Sequence, residues 1–270
     1  MKHTKKCILV VLAVLIGWGA VGATAQSELS DGQILQAMDL ARFEAFRPED
    51  IPPGFNPRTD TLPTGLVYTL EIEAVRPDGN SKAVVQVSQI SFSTARIDYL
   101  EPAELAGDVF IASRFEDSVY FWNPDLITPL QIDGNFEVFG DATVWEVMGI
   151  PFGRVFSIDS ASEVSLEDGG TVLSYDMVSN RSRFPFSRAT VTADPETLQP
   201  ITLNLFDQSG DPLHENTFLS YTVSEDGRTH YEQQLLNNLV VPGNQTLLTV
   251  IGIDHIAMDE DFFDPEKLGE

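Results

Sequence analysis

Residues 189–223, ATVTADPETLQPITLNLFDQSGDPLHENTFLSYTV, constrain the fold more than any other stretch, because two turns in quick succession join alternating segments. Apolar and polar residues alternate in Ala189-Thr190-Val191-Thr192-Ala193 and again in Ile201-Thr202-Leu203-Asn204-Leu205, the period of strands with one buried face. Asp194-Pro195-Glu196-Thr197 and Asp207-Gln208-Ser209-Gly210 supply the turn chemistry: Asp and Pro preset a tight reversal, and Gly accepts a positive φ. The pattern predicts a continuous antiparallel meander with almost no reactive side chains.

The rest of the chain extends it. Strand-like runs occupy 67–75, 83–92, 96–100, 109–115, 119–122, 171–178, 228–239 and 246–255, with Pro77-Asp78-Gly79-Asn80 and Phe115-Glu116-Asp117 as hairpin connections. Ser30-Asp31-Gly32-Gln33 is a capping-box pattern, and Ile34, Leu35, Met38, Ala41 and Ala45 recur at helical spacing, which predicts one amphipathic helix to about Phe46. Pro48, Pro52, Pro53, Pro57 and Pro63 then make an extended crossing. Thr143 to Met148, between Gly140 and Gly149, reads as a short helix, unusually apolar for a connection. One long helix, one short one and roughly ten or eleven strands favour a mainly β (α+β) fold, a single strongly curved antiparallel sheet forming an open half-barrel.

Composition narrows the function. Lys2, Lys5 and Lys6, the apolar run 7–21 and Ala23-Thr24-Ala25 have the order of a cleavable signal peptide over residues 1–25, leaving one domain over 26–270. An uncleaved anchor would need about twenty apolar residues, and this run is shorter and contains Gly17 and Gly19. Cys7 is the single cysteine and leaves with the leader, so disulfides, thiolate metal sites and cysteine nucleophiles are excluded together. The formal charge is −25, and −28 without the leader's three lysines, which rules against nucleic acid as a partner. An acidic surface of this kind suits a saline habitat and equally a simple need for solubility.

Motifs for chemistry are missing. His214, His230 and His255 are far apart and form no H-x-x-x-H or H-E-x-x-H pair, so neither a metal nor a cofactor is expected. No G-x-S-x-G elbow occurs, and the serine of Asp207-Gln208-Ser209-Gly210 belongs to a turn. Carboxylates are too numerous for any pair to be singled out as glycosidase machinery. Asp254, Asp259, Glu260, Asp261 and Asp264 lack the alternating spacing of a calcium loop and read as a solvated acidic tail. Aromatics remain: Phe110, Phe115, Tyr120, Phe121, Trp122 and Trp145 either fill an ordinary core or line a concavity that one helix cannot fill.

Several segments together resemble the LolA-like superfamily of periplasmic lipoprotein and lipid carriers. They are Arg96-Ile97-Asp98-Tyr99-Leu100-Glu101-Pro102 with Leu105-Ala106-Gly107, Tyr120-Phe121-Trp122-Asn123-Pro124, Ala193-Asp194-Pro195 through Leu205-Phe206-Asp207 and Gly210, and the ending Asp261-Phe262-Phe263-Asp264-Pro265-Glu266-Lys267-Leu268. Their order and spacing carry the likeness, although Gly140-Asp141-Ala142-Thr143 departs from the Gly-Ser-Asp-like stretch of relatives. The resemblance implies an open half-barrel with helices over its mouth that shields a lipid or lipoprotein acyl chain during transit towards the outer membrane. It implies a monomer without enzymatic activity, served by an inner-membrane lipid or lipoprotein exporter, with 139–148 in the place of a lid. Phe110, Tyr120, Trp122, Val144, Trp145 and Met148 are the expected lining. An envelope sensor that recognises lipoproteins or a protein partner through the same fold is the second reading. A hydrolase is the third, and no motif supports it. The short helix serves equally well as a moving lid or as a permanent plug, and either sheet face can be the wall.

Overall fold

The computed structural model describes residues 29–43, 64–91, 94–113, 118–167, 169–182, 184–224 and 227–268. The expected leader, the expected proline-interrupted crossing and the expected hairpin connection at Phe115-Glu116-Asp117 lie outside these residues. Helix α1, Asp31–Arg42, begins where the capping box predicts, the Ser30 amide donating to Gln33 Oε1 at 3.0 Å. It buries Leu35, Met38 and Ala41 as expected but ends at Arg42 rather than near Phe46. Phe43 turns to extended backbone and makes an isolated β-bridge to His230, so pairing with the sheet competes with another helical turn.

Strands β1 Thr64–Val75, β2 Ser81–Ser91, β3 Thr94–Glu101, β4 Val109–Ser113, β5 Ser118–Trp122 and β6 Leu130–Ile132 form one meander. A separate small hairpin, β7 Glu137–Phe139 with β8 Ala142–Thr143, leads into the short helices α2, Val144–Met148, and α3, Phe152–Val155. Strands β9 Phe156–Ser165, β10 Thr171–Ser179, β11 Arg188–Ala193, β12 Pro200–Phe206, β13 Pro212–Val223, β14 Thr229–Asn238 and β15 Gln245–Ala257 form a second meander. The two join where β1 lies antiparallel to β15, from Thr64 opposite Ala257 to Val75 opposite Gln245. The result is a 13-stranded antiparallel sheet, not closed, with β6 at one edge and β9 at the other.

The opening meander is present as β11, β12 and β13, with Thr192 opposite Thr202 and Leu203 opposite Asn216. Its turns are made by the residues that predict them. Asp194 Oδ1 accepts from the amides of Glu196 and Thr197 at 2.9 and 2.8 Å, and Asp207 Oδ1 from those of Ser209 and Asp211 at 2.7 and 2.9 Å. Gly210 sits at φ 87°, in the region a side chain disfavours. Strands β6 to β9 were not expected. β9 is almost wholly exposed after Phe156, so it has no buried face to impose an alternation.

Flat, thirteen strands would span roughly 55–60 Å. Yet one face of the whole sheet feeds a single apolar cluster that runs from Ile97, Phe110 and Val119 through Leu70 and Leu248 to Val191 and Tyr175, and includes α1, α2 and α3. Trp145 on α2 packs edge-on against Phe184, before β11, with ring centroids 5.2 Å apart, while Tyr68 on β1 bonds the far end of the same five-residue helix. Such contacts require strong curvature. Register shifts in β1–β15, β2–β3, β9–β10, β12–β13 and β13–β14 provide the bends.

Candidate functional site: the concave face and its short helix

The concavity is filled by the segment that follows β7. Gly140, at φ 64°, lets the hairpin press against the sheet, where a Cβ would lie 2.5 Å from Thr246 Oγ1. Asp141 is fixed there: its amide donates to Thr246 Oγ1 at 2.9 Å, its carboxylate pairs with Arg76, and Asn238 Nδ2 donates to its Oδ1 at 2.9 Å. Thr143 then caps α2 reciprocally with Glu146, the Thr143 amide donating to Glu146 Oε2 at 3.1 Å and the Glu146 amide to Thr143 Oγ1 at 3.3 Å. Gly149 at φ 76° ends the helix. All five helical residues, Val144 to Met148, are buried.

Glu146 is the unexpected member of that set. Its carboxylate receives His214 Nδ1 of β13 at 2.9 Å and Asn216 Nδ2 at 3.0 Å. Burial alone pushes the carboxyl pKa up, but the charge and hydrogen bond of His214, with Thr143 and Asn216, hold it below its usual value. His214 moves the opposite way: burial favours the neutral ring, and Glu146, with Asp141 and Glu137 nearby, outweighs burial and raises its pKa. The N-terminal end of α2 is thus held by a buried ion pair.

Donors from three other elements hold the C-terminal end. Tyr68 OH of β1 donates to the Val147 carbonyl at 3.0 Å, Gln89 Nε2 of β2 to the Met148 carbonyl at 2.6 Å, and Arg42 Nη2 of α1 to the Ile150 carbonyl at 2.7 Å. Asp39 pairs with Arg42 at 3.3 Å and accepts the amides of Phe152 and Gly153 at 2.8 and 2.9 Å, fixing the start of α3. Burial pushes the Asp39 carboxyl up to about 6 against the pull of Arg42 and those amides. Burial likewise raises the Tyr68 phenol, which stays a donor. Arg42, Phe43, Tyr68, Gln89, Met148 and Tyr231 line a recess with about 30 Å³ of interior space, enough for about two water molecules.

Four of the six residues singled out in the sequence meet in this core: Phe110, Val144, Trp145 and Met148. Tyr120 and Trp122 do not. Trp122 packs with Val109, Ile111 and Leu268 on the other face of the sheet, and Tyr120 pairs with Ile111 on that same face. Alternation places their neighbour Phe121 inside, with Phe110 and Phe121 centroids 5.0 Å apart. The inner aromatic surface also includes Phe43, Tyr68, Tyr231 and Phe218 near α1, and Phe156, Phe184 and Phe186 near Trp145. Val119, inward and followed by Phe121, was the signal for the correct register of β5. Nothing local marks Tyr68 or Gln89, whose partners are 79 and 59 residues away.

Among the described residues, no group of three or more histidine, cysteine or acidic side chains is arranged to hold a metal ion. None of the described helices is long and apolar enough to cross a membrane. No protein-family model matches the chain, and no curated protein sequence does. Solved structures do match it. A LolA superfamily protein from Nitrosomonas europaea superposes with a TM-score of 0.71 at 12% identity, over 87% of this chain and 98% of that one. An outer membrane lipoprotein-sorting protein domain from Vibrio parahaemolyticus gives 0.65 at 14% identity, over 76% and 91%. A DUF1329 family protein from Desulfovibrio piger gives 0.63 at 11% identity, over 78% and 93%. The fold is LolA-like.

Proposed function

We propose that this LolA-like half-barrel, one domain over residues 26–270 behind a cleavable leader, is a periplasmic carrier. It takes a lipid or lipoprotein acyl chain into its concavity for transfer towards the outer membrane. One observation carries the reading: the concave face is occupied by a short apolar helix that is a separable piece, bounded by Gly140 and Gly149 and fastened at both ends by polar contacts. The Vibrio parahaemolyticus neighbour named for lipoprotein sorting supports the same direction. An inner-membrane exporter is the proposed donor, and no covalent step is involved.

Energetics make such an exchange feasible. Exposing Val144, Trp145, Val147 and Met148 costs roughly 6–12 kcal/mol at about 1.5–3 kcal/mol per side chain, and burying about fifteen methylenes returns about 12 kcal/mol. The two occupants of the concavity are therefore nearly matched, which a carrier that must also release its cargo needs. The proposed lining comprises Phe110, Val144, Trp145 and Met148 with Phe121 and Tyr68, while Tyr120 and Trp122 contribute to the outer face.

The test uses Trp145 as reporter in a Trp122→Phe background of the chain without its leader. Titration with a fluorescent fatty acid is expected to saturate, to change Trp145 emission as the ring leaves Phe184, and to be competed by phospholipid. Unchanged emission, together with native mass spectra free of retained lipid, would sink the carrier reading. A second reading, a module that recognises a protein partner, draws on the exposed apolar tip Leu239, Val240 and Val241, held outward by Asn238 Oδ1, which accepts the amides of Val240 and Val241 at 2.9 and 2.8 Å. Pull-downs with and without lipid separate the two.

A further inference from the structure

The three donors at the C-terminal end of α2 come from α1, β1 and β2, yet converge on backbone carbonyls that follow one another closely, Val147, Met148 and Ile150. If α2 gives way to a guest, all three lose these carbonyls at once, and Arg42 and Gln89 keep only the long 3.3 Å contacts to Asp39 and Tyr68. A buried donor left unpaired costs about 1–3 kcal/mol, more when it is charged. A hydrocarbon chain offers these donors nothing. Oxygen atoms do.

We propose that Arg42, Tyr68 and Gln89 form the binding site for the polar end of the cargo, and that its class is an acyl lipid bearing an anionic oxygen, a carboxylate or a phosphate. The inference rests on the carrier reading and adds a polar subsite to its apolar one. The carbonyls of Val147, Met148 and Ile150 then stand where the oxygens of the guest will be.

Arg42 sets the anionic requirement. Its side chain is 7% exposed, and its guanidinium lies over the Phe152 ring at 4.6 Å. Nη2 holds the Ile150 carbonyl, whereas the buried Nε has no hydrogen-bond partner among the described residues. Nε–H and Nη2–H form the edge of a guanidinium that grips a carboxylate or phosphate through two parallel bonds. A single carbonyl fills half of that fork. Asp39 does not complete it: its contact to Nη2 is long, 3.3 Å, and its oxygens are taken by the Phe152 and Gly153 amides. Tyr68 and Gln89, themselves linked at 3.3 Å, supply further donors beside it. A Cβ on Gly149 would lie 3.6 Å from Nη2, so the residue that ends α2 abuts the charge that the guest is to meet.

The experiment compares hexadecanoate, hexadecyl phosphate and hexadecanol, which share one chain and differ in the head. The wild-type chain is expected to bind both anions about tenfold more tightly than the alcohol, the value of a charge-assisted bidentate pair. Arg42→Met is expected to bring the three within about twofold while still binding hexadecanol. Should Arg42→Met fail to fold, Tyr68→Phe and Gln89→Met serve instead, each expected to lower the preference by about threefold. A wild-type preference under twofold, or one unchanged in these variants, overturns the subsite and leaves the carrier reading intact. Failure to bind any of the three removes both. Inorganic phosphate alone is expected to leave the Arg42 Nε–H resonance unmoved. A shift as large as that given by hexadecyl phosphate would make this a free-anion site and overturn the lipid assignment.

Discussion

Glu146 does two jobs at once: it caps α2 and ties that helix to β13, both through one carboxylate. Glu146→Gln leaves His214 without its counter-charge in a buried position, and a loss of about 3–5 kcal/mol is expected in urea denaturation. The pH dependence follows from the two shifts. A carboxyl held below its ordinary 4.5 contributes stability above that value and loses it as pH falls through the lowered folded pKa. A histidine held above its ordinary 6.5 contributes fully below that value and loses it as pH rises through the raised folded pKa. The pair therefore stabilises most between about pH 4.5 and 6.5, and the decline above that window should flatten in Glu146→Gln, as denaturation across pH will show. Asp39, raised to about 6, adds a loss of its own as pH climbs from 3.8 through 6. The cap is legible in Thr143-x-x-Glu146, but His214 and Asn216 lie 68 and 70 residues away and nothing local announces them. Tyr120 and Trp122 illustrate a different gap. An aromatic run in a strand names large side chains, and only the register decides which of them face inward.

At the scale of elements, α2 was readable because its punctuation is strong: two glycines with positive φ enclose a capped apolar run. Gly140→Ala adds a Cβ 2.5 Å from Thr246 Oγ1 and 3.0 Å from that of Ala74 at a φ of 64°, so about 1–3 kcal/mol of destabilisation is expected. That strain falls on the seat of α2, and amide exchange at Val147 and Met148 should quicken more than exchange in β11 or β12. Equal acceleration everywhere would deny α2 its independence. Thr143→Ala, by removing the cap alone, should cost about 1 kcal/mol in the same measurement. Helix α1 was legible at its start and overrun at its end, since the β-bridge of Phe43 to His230 is a tertiary contact. Strand β9 escaped notice because it lies at an edge and is exposed through residues 159–165, where backbone pairing to β10 replaces side-chain patterning.

For the whole molecule, 41 acidic residues against 16 basic ones give a surface that repels itself. Added salt screens such repulsion within a Debye length of about 10 Å at 0.1 M. The melting temperature should therefore rise between 10 mM and 1 M sodium chloride, and a flat or falling trend would show that ion pairs such as Lys82 with Glu71 matter more than the net charge. The single curved sheet could be anticipated from strand after strand without a break in composition. The order of the strands could not, because hairpins determine neighbours only locally and the pairing of β1 with β15 is set by two runs of similar length and alternation far apart in the chain.

That seam has a consequence for the birth of the protein. Either meander can zip up from its own hairpins, but β1 keeps a bare flank until β15 is made. A nascent chain thus carries β1 as an unclaimed edge until residues 245–257 are made, open to stray pairing with other polypeptides. The sheet becomes continuous only when β15 pairs with β1, so its two halves stay separate until residues 245–257 have been made.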